Sequence, residues 1–378
     1  MLIAIPAETN PAETRVAATP ETVKKFISLG AQVKVQAGAG VKSGILDADY
    51  AQAGAEIAQS GAFAVKDADI VLRVRRPTVH ELSGARKGAA LIAIMDPYGH
   101  AEALQALAAA GYHAFAMEFM PRITRAQAMD VLSSQANVAG YRAVIDAAAE
   151  YGRVIPMMMT AAGMIQPAKI FVMGVGVAGL QAIATARKLG AVVTATDVRP
   201  ATKEQVTSLG AKFVAVEDEE FKQAETAGGY AKEMSPAYRA KQAELIASHI
   251  ASQDIVITTA LIPGRPAPIL VTAAMVESMR PGSVIIDLAV ERGGNCELAE
   301  PGETVTSKNG VKIVGHLNMA GRLPATASAL YAKNVLAFAE TMIDPKTKSL
   351  AIKWDDELVR ATLLTQEGVV VHPSIPGG

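Results

Sequence analysis

The residues best suited to chemistry in this chain form the run Gly174-Val175-Gly176-Val177-Ala178-Gly179. They follow an apolar stretch, Lys169–Met173, and open a helical stretch, Leu180–Leu189, that stops at Gly190. At this spacing the first glycine permits a tight turn and the second lets backbone amides approach a pyrophosphate. The third allows the helix to pack close to the strand. The helix N-terminus then offers unpaired N–H groups and partial positive charge to phosphates. The pattern alone is weak, and its setting strengthens it. The next β-rich run, Val192–Thr196, ends in Asp197, close to the spacing of about 20 residues at which a carboxylate accepts the ribose hydroxyls. A carboxylate there also repels an added 2′-phosphate, so NAD(H) is expected rather than NADP(H), although Arg199 is a residue type that accommodates such a phosphate. The competing interpretation is a glycine-rich turn beside a solvated aspartate. Candidate contacts are Gly174, Val175, Gly176, Val177, Gly179, Asp197, Val198 and Arg199.

Ligands of open α/β sheets lie beyond the carboxyl ends of the strands. The run Ile255–Ala260 leads into Leu261-Ile262-Pro263-Gly264, which adds Thr259, Ala260 and Leu261 as candidates, although a purely structural turn fits the same residues. A further run ends with two acids, Asp287 and Glu291. A second polar constellation spans Met120–Ser133 and offers Arg122, Ile123, Thr124, Gln127, Asp130, Leu132 and Ser133. Gln127 and Asp130 share a face if that stretch is helical. Taken by itself, the run is better accounted for by an ordinary helix start with exposed charges.

The elements that must position these groups alternate. The first block offers strands at Leu2–Pro6, Gln32–Gln36, Ile70–Val74, Ala90–Met95 and His113–Met117, with helices from Pro20 to Gly30 and over Ala101–Ala110. The second offers strands at Lys169–Met173, Val192–Asp197, Lys212–Val216, Ile255–Ala260, Val284–Leu288 and Val311–Gly315. Alternation of this kind predicts largely parallel sheets covered on both faces. Helices Ser133–Tyr151 and Ala327–Ile343 are expected to cross between blocks. The expected architecture is α/β, two Rossmann-like doubly wound domains separated by a cleft. Residues 1–132 plus 328–378 form one domain and 133–327 the nucleotide-binding one, with a mobile loop at about 217–235 and a helix from Pro236 to Ser248. The tail offers β-like pieces at Leu350–Trp354 and Val369–His372.

Composition agrees with a protein of this class. The 378 residues suggest two domains at roughly 150 residues each. Half are hydrophobic and 4% aromatic, so the core must come from Ala, Val, Ile, Leu and Met. A net charge of -1 gives no general attraction to nucleic acid or an anionic membrane. Cys296 is the lone cysteine, which excludes an intrachain disulfide and suits a reducing compartment. The N-terminus lacks a signal pattern, and no apolar run reaches the roughly 18 residues of a membrane span. A soluble chain is expected, with any membrane role arising through a partner. The cysteine and the dispersed histidines have no metal-ligand spacing.

The runs Met120–Asp146, Met157–Gly163, Gly174–Gln205, Ala227–Met234, Thr258–Gly264 and Ser283–Cys296 resemble the NAD(H)-binding component, domain I, of proton-translocating transhydrogenases, over nearly the whole chain. The resemblance implies that Arg122, Gln127, Asp130 and Ser133 hold the nicotinamide and its ribose, forming the catalytic set. It implies that Asp197 takes the adenosine ribose, and that a loop containing Gly229 and Tyr230 closes over the nucleotide with Tyr230 near the adenosine. It further implies a homodimer that docks on a membrane-spanning proton-channel subunit and an NADP(H)-binding subunit. The location expected on that basis is the cytoplasmic face of the inner membrane, reached through those partners.

The N-terminus is also similar to alanine dehydrogenase, through Pro6, Glu8, Arg15-Val16-Ala17 and Pro20. In that enzyme the arginine matching Arg15 binds the substrate carboxylate, aided by a lysine and a histidine. Here the lysine region reads Leu72-Arg73-Val74-Arg75-Arg76-Pro77, and the histidine region reads Ile92-Ala93-Ile94-Met95-Asp96, with no histidine until His100. Reduction of a keto or imino acid needs a positioned proton donor. Hydride exchange between two nicotinamide rings needs positioning instead, which favours the transhydrogenase. The remaining histidines are scattered and read as structural or exposed rather than catalytic; His316, at the end of the strand Val311–Gly315, is the first of them to test. A third possibility is an NAD sensor without turnover.

Overall fold

The computed structural model describes residues 1–222 and 234–375. Gly229, Tyr230 and most of the 217–235 segment lie outside the described residues. The chain divides into two compact units, Met1–Gln135 with Ala320–Gly378, and Ala136–Met319.

Unit 1 contains β1 (Leu2–Ile5), β2 (Gln32–Gln36), β3 (Glu56–Ala58), β4 (Ile70–Arg75), β5 (Ala90–Ile94) and β6 (His113–Ala116). They form one sheet in the order β3-β2-β1-β4-β5-β6, parallel throughout. Successive side chains of a strand point to opposite faces, and both faces here are covered. Ile3 and Ile5 join Val33, Val35, Leu72 and Ile92 in one core cluster, whereas Ala4 joins Val71, Leu91 and Ala114 in another. Burial on both sides is why these strands read as continuous apolar runs. The edge strand β3 has the sequence Glu56-Ile57-Ala58 and lacks that signal.

The first strands of unit 2 form an antiparallel hairpin, β7 (Met158–Thr160) and β8 (Gly163–Ile165). Its sheet comprises β9 (Lys169–Met173), β10 (Val192–Thr196), β11 (Lys212–Phe213), β12 (Ile255–Thr258), β13 (Val284–Asp287), β14 (Thr304–Thr306) and β15 (Lys312–Val314). The order is β11-β10-β9-β12-β13-β15-β14, with only β14–β15 antiparallel. The same alternation holds, with Ile170 and Val172 on one face and Phe171 and Met173 on the other. Several strands expected to reach Asp197, Val216, Ala260 and Leu288 stop pairing at Thr196, Phe213, Thr258 and Asp287. At Asp197 the reason is plain: its carboxylate turns back to accept backbone N–H groups and ends the ladder.

The helix expected from Ser133 runs over Val131–Glu150, and that expected from Ala327 runs over Pro324–Glu340. In the tail, β16 (Thr365–Gln366) and β17 (Val369–Val370) pair with each other. The stretch Leu350–Trp354 is not a strand. Leu350 makes a single bridge to Ile343, and Leu350 and Ile352 pack separately against the unit 1 core.

Candidate nucleotide-binding site

The register of unit 2 aligns its site residues. Met173 pairs with Thr196 on one side and Thr258 on the other. Gly174, Asp197 and Thr259 therefore leave the sheet side by side, at the point where strand order reverses. In open α/β sheets this is where ligands bind.

Each glycine has its own cause. Gly174 has φ +100°, and a Cβ there would lie 2.5 Å from Thr259 Oγ1. A Cβ on Gly179 would stand 1.9 Å from the Gly174 carbonyl oxygen, so that helix and turn can approach only without one. Gly176 differs: it is the N-cap of the helix Val177–Lys188, with no side-chain cap among the described residues, and a Cβ would meet nothing within 4 Å. The fold therefore requires Gly174 and Gly179, while Gly176 keeps open space in front of uncapped amides. That cradle fits a diphosphate. Thr259 braces the turn, donating from Oγ1 to the Gly174 carbonyl at 2.9 Å.

Asp197 is 7% exposed at its side chain. Its Oδ2 accepts the Val175 N–H at 2.7 Å, and its Oδ1 accepts the Arg199 N–H at 2.9 Å. Arg199 is turned onto this carboxylate, donating from Nε at 2.9 Å and Nη2 at 3.0 Å. Beside it is a cavity of about 520 Å³, lined by Gly174, Thr196, Asp197, Val198, Tyr238, Gln242, Ile246 and Ala260, among others. Its size and mostly apolar lining suit a nucleoside. Burial, reinforced by the charges of Asp218, Glu220 and Glu217, pushes the Tyr238 hydroxyl up to about 12. It remains a proton donor, to the Val216 carbonyl at 3.0 Å.

Sequence reasoning overlooked Asn295, which is fully buried. Its side chain accepts the Ala260 N–H at 3.0 Å and donates to the carbonyls of Ala260 at 2.9 Å and Pro268 at 2.8 Å. One amide thus ties both ends of the segment carrying the exposed Leu261 and Ile262. Asp287, also fully buried, holds that neighbourhood by accepting the N–H groups of Ala289, Asn295 and Cys296. Of the two acids expected at this edge, Asp287 is therefore an internal anchor and Glu291 is exposed. Gly140 was also missed. A Cβ there would lie 2.1 Å from the Ala178 carbonyl oxygen, so a bare position in the helix Val131–Glu150 admits the first turn of the glycine-rich helix. A glycine inside a helical pattern was its only signal.

The second constellation belongs to unit 1. Gln127 lies on the 3-10 turn Thr124–Met129, and Asp130 follows it, at the head of the helix Val131–Glu150. Asp130 caps that helix, accepting the Ser133 N–H at 2.9 Å and its hydroxyl at 2.6 Å. Arg122, Thr124, Gln127 and Leu132 are exposed, while Ile123 and Ser133 are half-buried. Arg125 is committed elsewhere, to Asp356 at 2.9 and 2.7 Å. Asn334, a residue the sequence did not single out, pins the segment by donating to the Ala128 carbonyl at 2.8 Å and accepting from the Ser134 hydroxyl at 2.7 Å.

The carboxyl edge of the unit 1 sheet is filled by ion pairs. Arg15 grips Glu13 through Nε and Nη2, both at 2.7 Å, and donates to Gln135 at 2.9 Å. Arg75, from the region Leu72–Pro77, reaches the same Glu13 at 2.8 Å. Burial alone would raise the Glu13 carboxyl, but the hydrogen bonds and charge of Arg15, with the charge of Arg75, outweigh it and hold it at about 2. Deeper in, Arg73 pairs with Glu8 and Glu81, each at 3.1 Å. At the end of the run Ile92–Asp96, Asp96 lies 3.8 Å from the exposed His100.

Among the described residues no helix is long and apolar enough to cross a membrane. Two sequence profiles match, described as "Alanine dehydrogenase/PNT, N-terminal domain" over residues 4–139 and "Alanine dehydrogenase/PNT, C-terminal domain" over residues 143–373. The chain is 55% identical over 382 residues to an NAD(P) transhydrogenase subunit alpha polypeptide of Rhodospirillum rubrum, covering 100% of this chain and 99% of that one. The solved structure of transhydrogenase from Sinorhizobium meliloti superposes with a TM-score of 0.89 at 61% identity, covering 98% of this chain and 100% of that one. Alanine dehydrogenase of Bacillus subtilis is more distant, 31% identical over 388 residues, covering 99% of this chain and 94% of that one. The chain thus belongs to the alanine dehydrogenase/PNT family, and within it stands with the NAD(P) transhydrogenase alpha subunits.

Proposed function

We propose that this chain is the NAD(H)-binding subunit of a proton-translocating transhydrogenase, exchanging hydride with NADP(H) held by a partner subunit. The observation that carries the reading is the uncapped helix start at Gly176 standing beside the end of β10, where Asp197 lies. Bound NAD(H) would supply the hydride chemistry. Gly174, Gly176 and Gly179 would seat its diphosphate, and Asp197 would accept its adenosine ribose and repel a 2′-phosphate. The family resemblance assigns the nicotinamide end to Arg122, Gln127, Asp130 and Ser133. In support, Arg122 and Gln127 are exposed on a segment that Asn334 and the Asp130 cap hold in place. These groups orient rather than protonate, which is what transfer between two nicotinamide rings demands.

Proton coupling would reside in a membrane-spanning partner, on which this subunit docks. Self-association is supported by the β7–β8 hairpin, where Met157, Met158, Met159, Met164 and Ile165 are all exposed. Contiguous apolar surface of this kind marks protein contacts, and methionine adapts well to them. The partner proposed is a second copy of the chain, and sedimentation of the wild type against a Met159→Glu variant tests it.

Hydride exchange between NADH and an NADP analogue should appear only when an NADP-binding partner is added. Steady consumption of NADH with pyruvate and ammonia by the chain alone would instead make it an amino-acid dehydrogenase. Asp197→Ala should weaken NADH binding by about 1.5–3 kcal/mol, the worth of hydrogen bonds to a charged group. Fluorescence titration reads this directly.

A further inference from the structure

A carboxylate has about four lone-pair positions on its two oxygens. At Asp197 the chain itself supplies four donors. Two are the backbone N–H groups of Val175 and Arg199, which belong to the turn. The other two, Nε and Nη2, come from one guanidinium, which also donates to the Val175 carbonyl at 3.2 Å. The arginine side chain is 30% exposed against 7% for the aspartate, so the guanidinium is the displaceable partner and the amides are the fixed ones.

We infer that Arg199 is an internal latch on Asp197, occupying the acceptor positions that a ribose diol must use. This rests on the reading of unit 2 as an NAD(H) site. The exchange balances: two N–H donors leave the carboxylate and two O–H donors replace them, while the Val175 and Arg199 amides keep it in place. Binding therefore breaks a forked ion pair, and the site's affinity for NAD(H) is set below what Asp197 alone would provide. Arg199 acts here as a tuning residue, and its removal improves binding.

The test is NADH titration by fluorescence on the full chain, using Arg199→Ala, Arg199→Gln, Asp197→Ala and the Asp197→Ala/Arg199→Ala double variant. Both Arg199 variants should tighten NADH roughly threefold to tenfold, the range for losing a partly exposed, forked ion pair. The glutamine variant retains a similar stem and guards against a packing effect of alanine. In the Asp197→Ala background, Arg199→Ala should produce no tightening, because no latch is left to release. Unchanged or weaker NADH binding in both Arg199 variants, with Asp197→Ala still impaired, overturns the latch and leaves the site reading intact. Wild-type NADH affinity in Asp197→Ala removes the site reading and the latch together.

Discussion

Units 1 and 2 set the first five strands of their sheets in one order, with the first strand near the centre and the reversal beside it, yet they treat that reversal in opposite ways. After β9 the chain turns at Gly174 and enters a helix whose first amides have no side-chain cap among the described residues. After β1 it runs through Glu8, Glu13 and Arg15 before reaching the helix Pro20–Ser28, whose start is closed by a capping box between Thr19 and Thr22. In unit 2 a cavity borders the edge, and in unit 1 a buried network of arginines and glutamates fills it. The difference teaches that strand order marks a place for a ligand without supplying the ligand's contacts. Those depend on which polar groups the local sequence leaves unspent.

Four substitutions would break or sharpen this contrast. The largest effect is expected at Glu13→Ala, which strands Arg15 in the core and should destabilise the fold by about 3–5 kcal/mol. The same group gives a pH signature. Its carboxyl is held at about 2 against an ordinary 4.5, so its contribution is complete above the upper value and disappears as pH falls toward the lower. Urea unfolding across that window should show the wild type losing this increment and Glu13→Ala lacking it. Equal losses in both would mean that the network does not hold unit 1 closed. Next is Gly179→Ala, whose methyl meets backbone and should cost about 2–3 kcal/mol of stability as well as NADH binding.

Gly176→Ala is the sharpest comparison. Stability should stay within about 0.5 kcal/mol, because the methyl enters open space, while NADH affinity falls about tenfold, or about 1.4 kcal/mol. A variant that both folds and binds as wild type would show that the uncapped amides are not where the diphosphate sits. The smallest effect is Thr19→Ala, which loses a cap in unit 1. It should lower stability by about 1 kcal/mol and leave NADH titration unaltered.

The glycine run, the strand before it and the aspartate after it were legible because each is a local pattern with a local cause. The doubly buried strands announced themselves as apolar runs, whereas Glu56–Ala58 and Thr304–Thr306, short edge strands, did not. Asn295, Gly140 and Asn334 escaped notice because their partners, Ala260, Ala178 and Ala128, are remote in sequence. A buried amide or a missing Cβ has no signature until the chain brings its neighbour alongside.

What the amino-acid order determined by itself was the succession of elements, the glycine turn and the carboxylate that ends the following strand, since turns, periodicity and capping are settled within a few residues. Only the tertiary structure decided how those groups are spent: Arg199 on Asp197, Thr259 on Gly174, Asp130 on its own helix, and Arg15 with Arg75 on Glu13. Donors and acceptors pair by distance in space, and strands far apart in the chain set that distance when the sheet assembles.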